Sequence, residues 1–128
     1  MPEHRERLRV RWADTDASGR IHFTAAFRYF EIAEFEFLRT LGVPHGRLPE
    51  VGFPRVNVAA TFKRPLTVDD VIEVRIHPRR VGTRSVTYAC EIYREGELAV
   101  EGHVTAVAVG RDGKSRPLPE VMRRALMA

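Results

Sequence analysis

Polar and apolar residues alternate from Arg7 to Ala13 (Arg-Leu-Arg-Val-Arg-Trp-Ala). That period of two predicts a half-buried β-strand over 7–13. Asp14-Thr15-Asp16-Ala17-Ser18-Gly19 then reads as a turn. From about Thr24 the apolar spacing becomes helical, and Gly42 and Pro44 stand where a helix stops. At 100° steps Ala26, Phe27, Phe30, Ala33, Phe37, Leu38 and Leu41 share one arc, while Tyr29, Ile32 and Phe35 fall outside it. A helix apolar on so many sides is buried on more than one, and its length of roughly 27 Å crosses a small domain. Beyond Pro49 the segments 54–64, 70–80, 84–94 and 97–109 are rich in Val, Ile, Thr and Tyr. The turns between them are short enough to make antiparallel neighbours. The tail from Pro119 to Ala128 reads as a short helix at best. The expected fold is α+β: a five-stranded antiparallel sheet wrapped around one long central helix, within a single domain over 1–128. Apolar surface is left over on the helix and on Val104–Val109, which predicts a homo-oligomer, dimer or tetramer.

Composition narrows the class. With 128 residues and 14.6 kDa the chain holds one core, and large barrel enzymes are excluded. The single Cys90 excludes an intrachain disulfide and a multi-cysteine zinc site. No run of apolar residues approaches a membrane span and the N-terminus lacks a signal-like apolar stretch, so the sequence reads as a cytoplasmic protein with no membrane partner. The net charge of +4 invites a nucleic-acid reading. Basic and acidic residues nevertheless interleave, with like-charge runs no longer than pairs such as Arg79-Arg80, so no nucleic acid is expected. An anionic small molecule suits the arginine bias better.

Several catalytic engines are missing. Ser18, Ser85 and Ser115 are the only serines, and none sits in a nucleophile elbow. Gly113-Lys114-Ser115 imitates the end of a phosphate loop, but Ala108 stands at the required upstream glycine. No histidine pair has metal-ligand spacing, so no metal is expected; His4, His45, His77 and His103 read as surface or turn residues and Cys90 as a buried strand residue. What remains is the segment from Trp12 to Phe23. Asp16 and Gly19 fit the first and fourth positions of a type I turn. The same segment also places two carboxylates just ahead of a buried helix, whose free N–H groups favour developing negative charge. A carboxylate beside such a site is a minimal hydrolase.

The run Val10-Arg11-Trp12-Ala13-Asp14-Thr15-Asp16-Ala17-Ser18-Gly19, then Phe30-Glu31-Ile32-Ala33-Glu34 and Phe37-Leu38-Arg39-Thr40-Leu41-Gly42, resembles the 4-hydroxybenzoyl-CoA thioesterase family. Thr61-Phe62-Lys63-Arg64-Pro65 with Asp69-Asp70-Val71-Ile72-Glu73-Val74 extends the likeness, which covers about residues 8 to 109. The resemblance implies the hotdog fold and hydrolysis of acyl-CoA thioesters. It implies no cofactor, coenzyme A being part of the substrate. It assigns the catalytic carboxylate to Asp16, as nucleophile or as general base for water, gives Asp14 a supporting role, and lets the backbone N–H of Phe23 polarise the carbonyl. It aligns Arg79, Arg80, Thr83, Arg84 and Ser85 with a stretch that contacts the nucleotide phosphates, Lys63 and Arg64 being weaker candidates, in a site that lies between subunits. A thiolate leaves easily, since a thiol pKa is about 8.5, so so sparse a site can suffice.

The chain departs from the family at the start of the helix. Relatives there carry an asparagine and a tyrosine where this sequence has Ala25 and Ala26, and His22 stands one place before the usual histidine. His22 either compensates or is structural. Glu34 falls inside the apolar arc, so it is either paired with an arginine across a dimer or raised in pKa and used by the site. Two other functions stay open: an acyl-CoA-binding hotdog module without turnover, and a hotdog dehydratase of hydroxyacyl thioesters that would rely on His22.

Overall fold

The computed structural model describes residues 1–43, 48 and 50–128; Pro44, His45 and Pro49 lie outside the described residues. The five strands are β1 (His4–Arg9), β2 (Arg55–Phe62), β3 (Val71–Val81), β4 (Ser85–Arg94) and β5 (Glu97–Val107). The helices are α1 (Ala25–Thr40) and α2 (Glu120–Met127). The strands form one antiparallel sheet in the order β1-β3-β4-β5-β2. Strand alternation decides which side chains face inward: Ile72, Val74 and Ile76 of β3 and Val86, Tyr88, Cys90 and Ile92 of β4 are buried. They join Ala26, Phe30, Ala33, Phe37 and Leu38 of α1 in one core.

Three expectations need correction. The first strand begins and ends earlier than 7–13, because its inner face is polar: His4, Glu6 and Leu8 are the half-buried residues, and His4 Nε2 bonds Glu6 Oε1 at 2.8 Å and stacks on Phe37. Trp12–Asp14 is a turn of 3₁₀ helix instead of strand. The tail is a short helix as expected, but its Met122 and Leu126 are fully buried and it packs on β3, so the expected cover of the sheet by α1 alone does not hold. Tyr29, outside the predicted apolar arc, is buried as well.

The stop at Gly42 is as expected, and its mechanism is visible. Gly42 takes φ +75°, its N–H donates to the Arg39 carbonyl at 3.1 Å, and the Val43 N–H donates to the Leu38 carbonyl at 2.9 Å. This paired capping closes the helix with a residue that bears no Cβ penalty. Gly102 has a different reason to be glycine. A Cβ there would lie 2.0 Å from the Ala59 carbonyl oxygen, so only glycine lets β2 curl this closely onto β5.

The curl leaves β2 poorly covered. Val58 and Phe62 pair with Val104 and Val100, whose side chains are buried in the core, yet each remains 46% exposed. No helix among the described residues is long and apolar enough to cross a membrane.

Candidate active site

The segment ahead of α1 is a closed loop. Thr15 and Ile21 form an isolated antiparallel bridge, the Asp16 N–H donates to the Arg20 carbonyl at 2.8 Å, and the Gly19 N–H donates to the Asp16 carbonyl at 3.0 Å. Asp16 and Gly19 thus take the turn positions their residue types suit. The loop is tied to the rest of the chain through Asp14. This side chain is only 1% exposed; it accepts from the Arg11 N–H at 3.1 Å, from Arg28 Nη2 at 2.7 Å and from the Tyr29 hydroxyl at 2.8 Å. Its carbonyl accepts the His22 N–H at 2.8 Å. Burial works to raise the Asp14 pKa, but these donors outweigh it and hold the carboxyl below its ordinary range. Tyr29 is pushed the other way, by burial first and then by Asp14.

Asp16 stands in the opposite environment. It is exposed, and its Oδ1 accepts both the Ser18 N–H at 2.8 Å and the Ser18 hydroxyl at 2.6 Å. These bonds lower its pKa. Among the described residues nothing donates to Oδ2. Asp16 lines an open cleft of about 410 Å³, shared with Phe23 and with Phe62, Lys63 and Arg64 at the end of β2. The Phe23 N–H has no acceptor among the described residues, and the Phe23 ring is 61% exposed. An unspent N–H just ahead of a helix, in a residue that lines the same cleft as Asp16, is suited to receive a carbonyl.

The other candidates fall elsewhere. His22 is engaged locally: its Nδ1 accepts the Thr24 N–H at 3.3 Å, lies 2.7 Å from Thr24 Oγ1, and its ring stacks on Phe23. Glu34 lies about 14 Å further along α1 than Ala25, away from this cleft. It accepts Arg55 Nη2 at 2.6 Å, so its arginine comes from the same chain and no dimer is needed to pair it. Burial pushes the Glu34 pKa up to about 7, with Arg55 opposing and Glu31 adding to the rise. Arg79, Arg80, Thr83 and Arg84 are exposed and Ser85 is half-buried, all at the β3–β4 turn. Phe62 pairs with Val100 and Ser85 with Val107, so seven residues of β5, roughly 23 Å, separate that turn from the cleft. One chain does not bring Asp16 and these arginines together. Around the turn the chain gathers further cations: Arg84 Nη1 donates to the Ser115 carbonyl and Arg123 Nη1 to that of Gly82.

Residue patterns alone miss two features. Nothing in the spacing marks Arg28 and Tyr29 as the partners of Asp14, because the contact depends on how the loop folds back over the helix. Ser18 carries a faint signal, since Asp-x-Ser is a common side-chain-to-backbone turn.

The comparisons with known proteins bear on the family and the fold. Residues 10–126 match the model of the Thioesterase-like superfamily. The chain belongs to that superfamily. A 1,4-dihydroxy-2-naphthoyl-CoA hydrolase of Prochlorococcus marinus (strain MIT 9313) is 31% identical over 130 residues, covering 93% of this chain and 86% of that protein. A gentisyl-coenzyme A thioesterase structure superposes with a TM-score of 0.89 at 27% identity, covering 95% of this chain and 98% of that one. A hypothetical protein of Thermus thermophilus has a TM-score of 0.91 at 31% identity, with 97% of each chain covered. The thioesterase therefore has the hotdog fold. Its likeness to 4-hydroxybenzoyl-CoA thioesterases holds at the level of the superfamily, for these relatives are named for other acyl groups.

Proposed function

We propose that the chain hydrolyses an acyl-CoA thioester to the free acid and coenzyme A at the cleft between Asp16 and Phe62. The observation that carries this reading is that one cleft is lined by Asp16, with no donor to its Oδ2, and by Phe23, with no acceptor for its N–H among the described residues. The carbonyl oxygen of the thioester would accept that N–H, which favours the charge developing on it. Asp16 then acts by one of two routes. Its oxygen attacks the carbonyl carbon, thiolate leaves, and water cleaves the resulting mixed anhydride; or it takes a proton from the water that attacks directly. No cofactor is required by either route.

The exposed rings of Phe23 and Phe62 favour an aromatic acyl group, in keeping with the naphthoyl and gentisyl groups in the relatives' names. A second copy of the chain would complete the site. The uncovered Val58 and Phe62 call for a partner, and the Arg79–Ser85 turn, too far from Asp16 in its own chain, would reach the coenzyme A phosphates from the neighbour. The alternative of binding without turnover is favoured by one observation, the fully buried methyl of Ala25 where the resembled family has an asparagine amide. The dehydratase alternative has less support, since the Nδ1 of His22 is already engaged by Thr24.

Thiol release over a panel of aromatic and aliphatic acyl-CoAs tests the reading. Turnover of an aromatic member that disappears in Asp16→Asn is the expected result. Binding of the esters without thiol release would replace hydrolysis by the binding module, and a fully active Asp16→Asn would move the reaction to another carboxylate.

A further inference from the structure

The two oxygens of Asp16 are not equivalent. Oδ1 receives the Ser18 N–H at 2.8 Å and the Ser18 hydroxyl at 2.6 Å. The hydroxyl is itself oriented, because Ser18 Oγ accepts the Arg20 N–H at 3.3 Å, which leaves its proton for Asp16. A chain of donors therefore runs from the loop backbone through Ser18 to one carboxylate oxygen. A carboxylate on an exposed loop turns readily about its last torsion. Here two bonds to the same oxygen oppose that rotation and leave Oδ2 with no donor among the described residues.

We infer that Ser18 is a positioning residue for the hydrolysis, holding Oδ1 of Asp16 so that Oδ2 alone meets the thioester or the attacking water. The inference rests on Asp16 being the reactive carboxylate. It adds a functional residue that is neither in the Asp-x-Asp pair nor in the lining of the cleft. The hydroxyl also has an electrostatic consequence. A donor to the ionised form favours that form, and the Ser18 hydroxyl is the largest influence lowering the Asp16 pKa, ahead of the Ser18 N–H. The other titratable or charged groups facing Asp16 are His22 and Arg20 on its own loop and Lys63 and Arg64 across the cleft, the last two already paired with Glu101 and Glu97. Ser18 is therefore the neighbour that sets both the direction and the protonation of the carboxylate.

The test is the pH profile of kcat/KM for Ser18→Ala and Ser18→Thr, with the panel's fastest acyl-CoA as substrate and Asp16→Asn as control. Ser18→Ala keeps the backbone donor and removes the hydroxyl. Its acid limb is expected to move to higher pH, kcat to fall about three- to tenfold, the scale of one solvent-exposed hydrogen bond, and KM to stay nearly constant. Ser18→Thr, which keeps the hydroxyl, should restore both the limb and kcat. A ¹³C NMR titration of the Asp16 carboxyl should show the same upward displacement in Ser18→Ala without reference to activity. A profile that superposes on wild type, or that is scaled down evenly at every pH with the NMR titration unmoved, overturns the inference while Asp16→Asn remains inactive. An active Asp16→Asn overturns it together with the reading it rests on.

Discussion

Two regions of α1 meet a carboxylate paired with an arginine, Asp14 of the preceding loop against its first turns and Glu34 in its middle, and the two carboxylates behave in opposite ways. At the start of the helix Asp14 accepts a backbone N–H, a tyrosine hydroxyl and Arg28, and stays ionised below its ordinary range. In the middle Glu34 accepts Arg55 at 2.6 Å, yet burial between helix and sheet and the nearby Glu31 carry its pKa up to about 7. The arginine does not decide between these outcomes. The number of well-aimed donors set against the depth of burial does. The start of the helix is thus built to hold fixed charge, and two residues from Asp14 the same loop presents Asp16 to the open cleft. The middle is built around a carboxylate that takes up a proton near neutrality.

The largest expected effect separates charge used for chemistry from charge used for structure. Asp16→Asn should lower kcat by roughly 10²- to 10⁴-fold, the usual contribution of a positioned acid–base group, with thermal unfolding nearly unchanged because the side chain is exposed. Asp14→Ala should act first on stability. It strands the buried Tyr29 hydroxyl and removes the partner of Arg28, so denaturant unfolding should show a loss of about 3 kcal/mol. A stable Asp14→Ala variant would mean that the clamp is not what ties the loop to α1.

How far the sequence foretold this contrast follows from what periodicity can see. The helix from Ala25 to Thr40 and the strands β3, β4 and β5 are close to their predicted bounds, since each buries a regular apolar face. Strand β1 was displaced because its inner positions are His4 and Glu6, polar residues that pack by stacking and pairing. Glu34 was legible as a charge inside an apolar arc, but its arginine lies 21 residues away on β2, a contact only the fold supplies. The Asp14 clamp was invisible for the same reason. The basic β3–β4 turn was legible as a cluster of arginines, to which only the resemblance attached phosphates, while its separation from Asp16 is a property of strand register.

The middle of the helix can be tested by pH. Glu34 has a folded pKa near 7 against an ordinary 4.5. Between those values the folded state binds more protons than the unfolded, so the wild-type chain loses stability as pH rises through this window. Glu34→Gln keeps an oxygen for Arg55 and does not titrate. Its stability relative to wild type should therefore climb by about 2 kcal/mol from pH 4.5 to 7 and level off above, read from urea unfolding at each pH. A difference independent of pH would place Glu34 with Asp14, as a permanently charged partner of its arginine.

Tyr29→Phe is the gentlest probe and the most specific to the start of the helix. It keeps the buried ring and removes one of the donors that hold Asp14 ionised, while the Arg11 N–H and Arg28 remain. One hydrogen bond to a charged group predicts a loss of about 1.5 kcal/mol at pH 7. Because Asp14 has a depressed pKa in the folded state, the stability it provides is present above its unfolded pKa and is lost as pH falls through the folded one. With a donor gone the folded pKa rises, so the variant has less of this contribution and finishes losing it at higher pH than wild type. Its acid-unfolding midpoint should move upward, and the gap between the two proteins should narrow once Asp14 is protonated in both. A gap that persists unchanged to pH 2 would mean that the hydroxyl acts on packing and not on the charge of Asp14. The difference between the two regions of α1 would then come from burial alone.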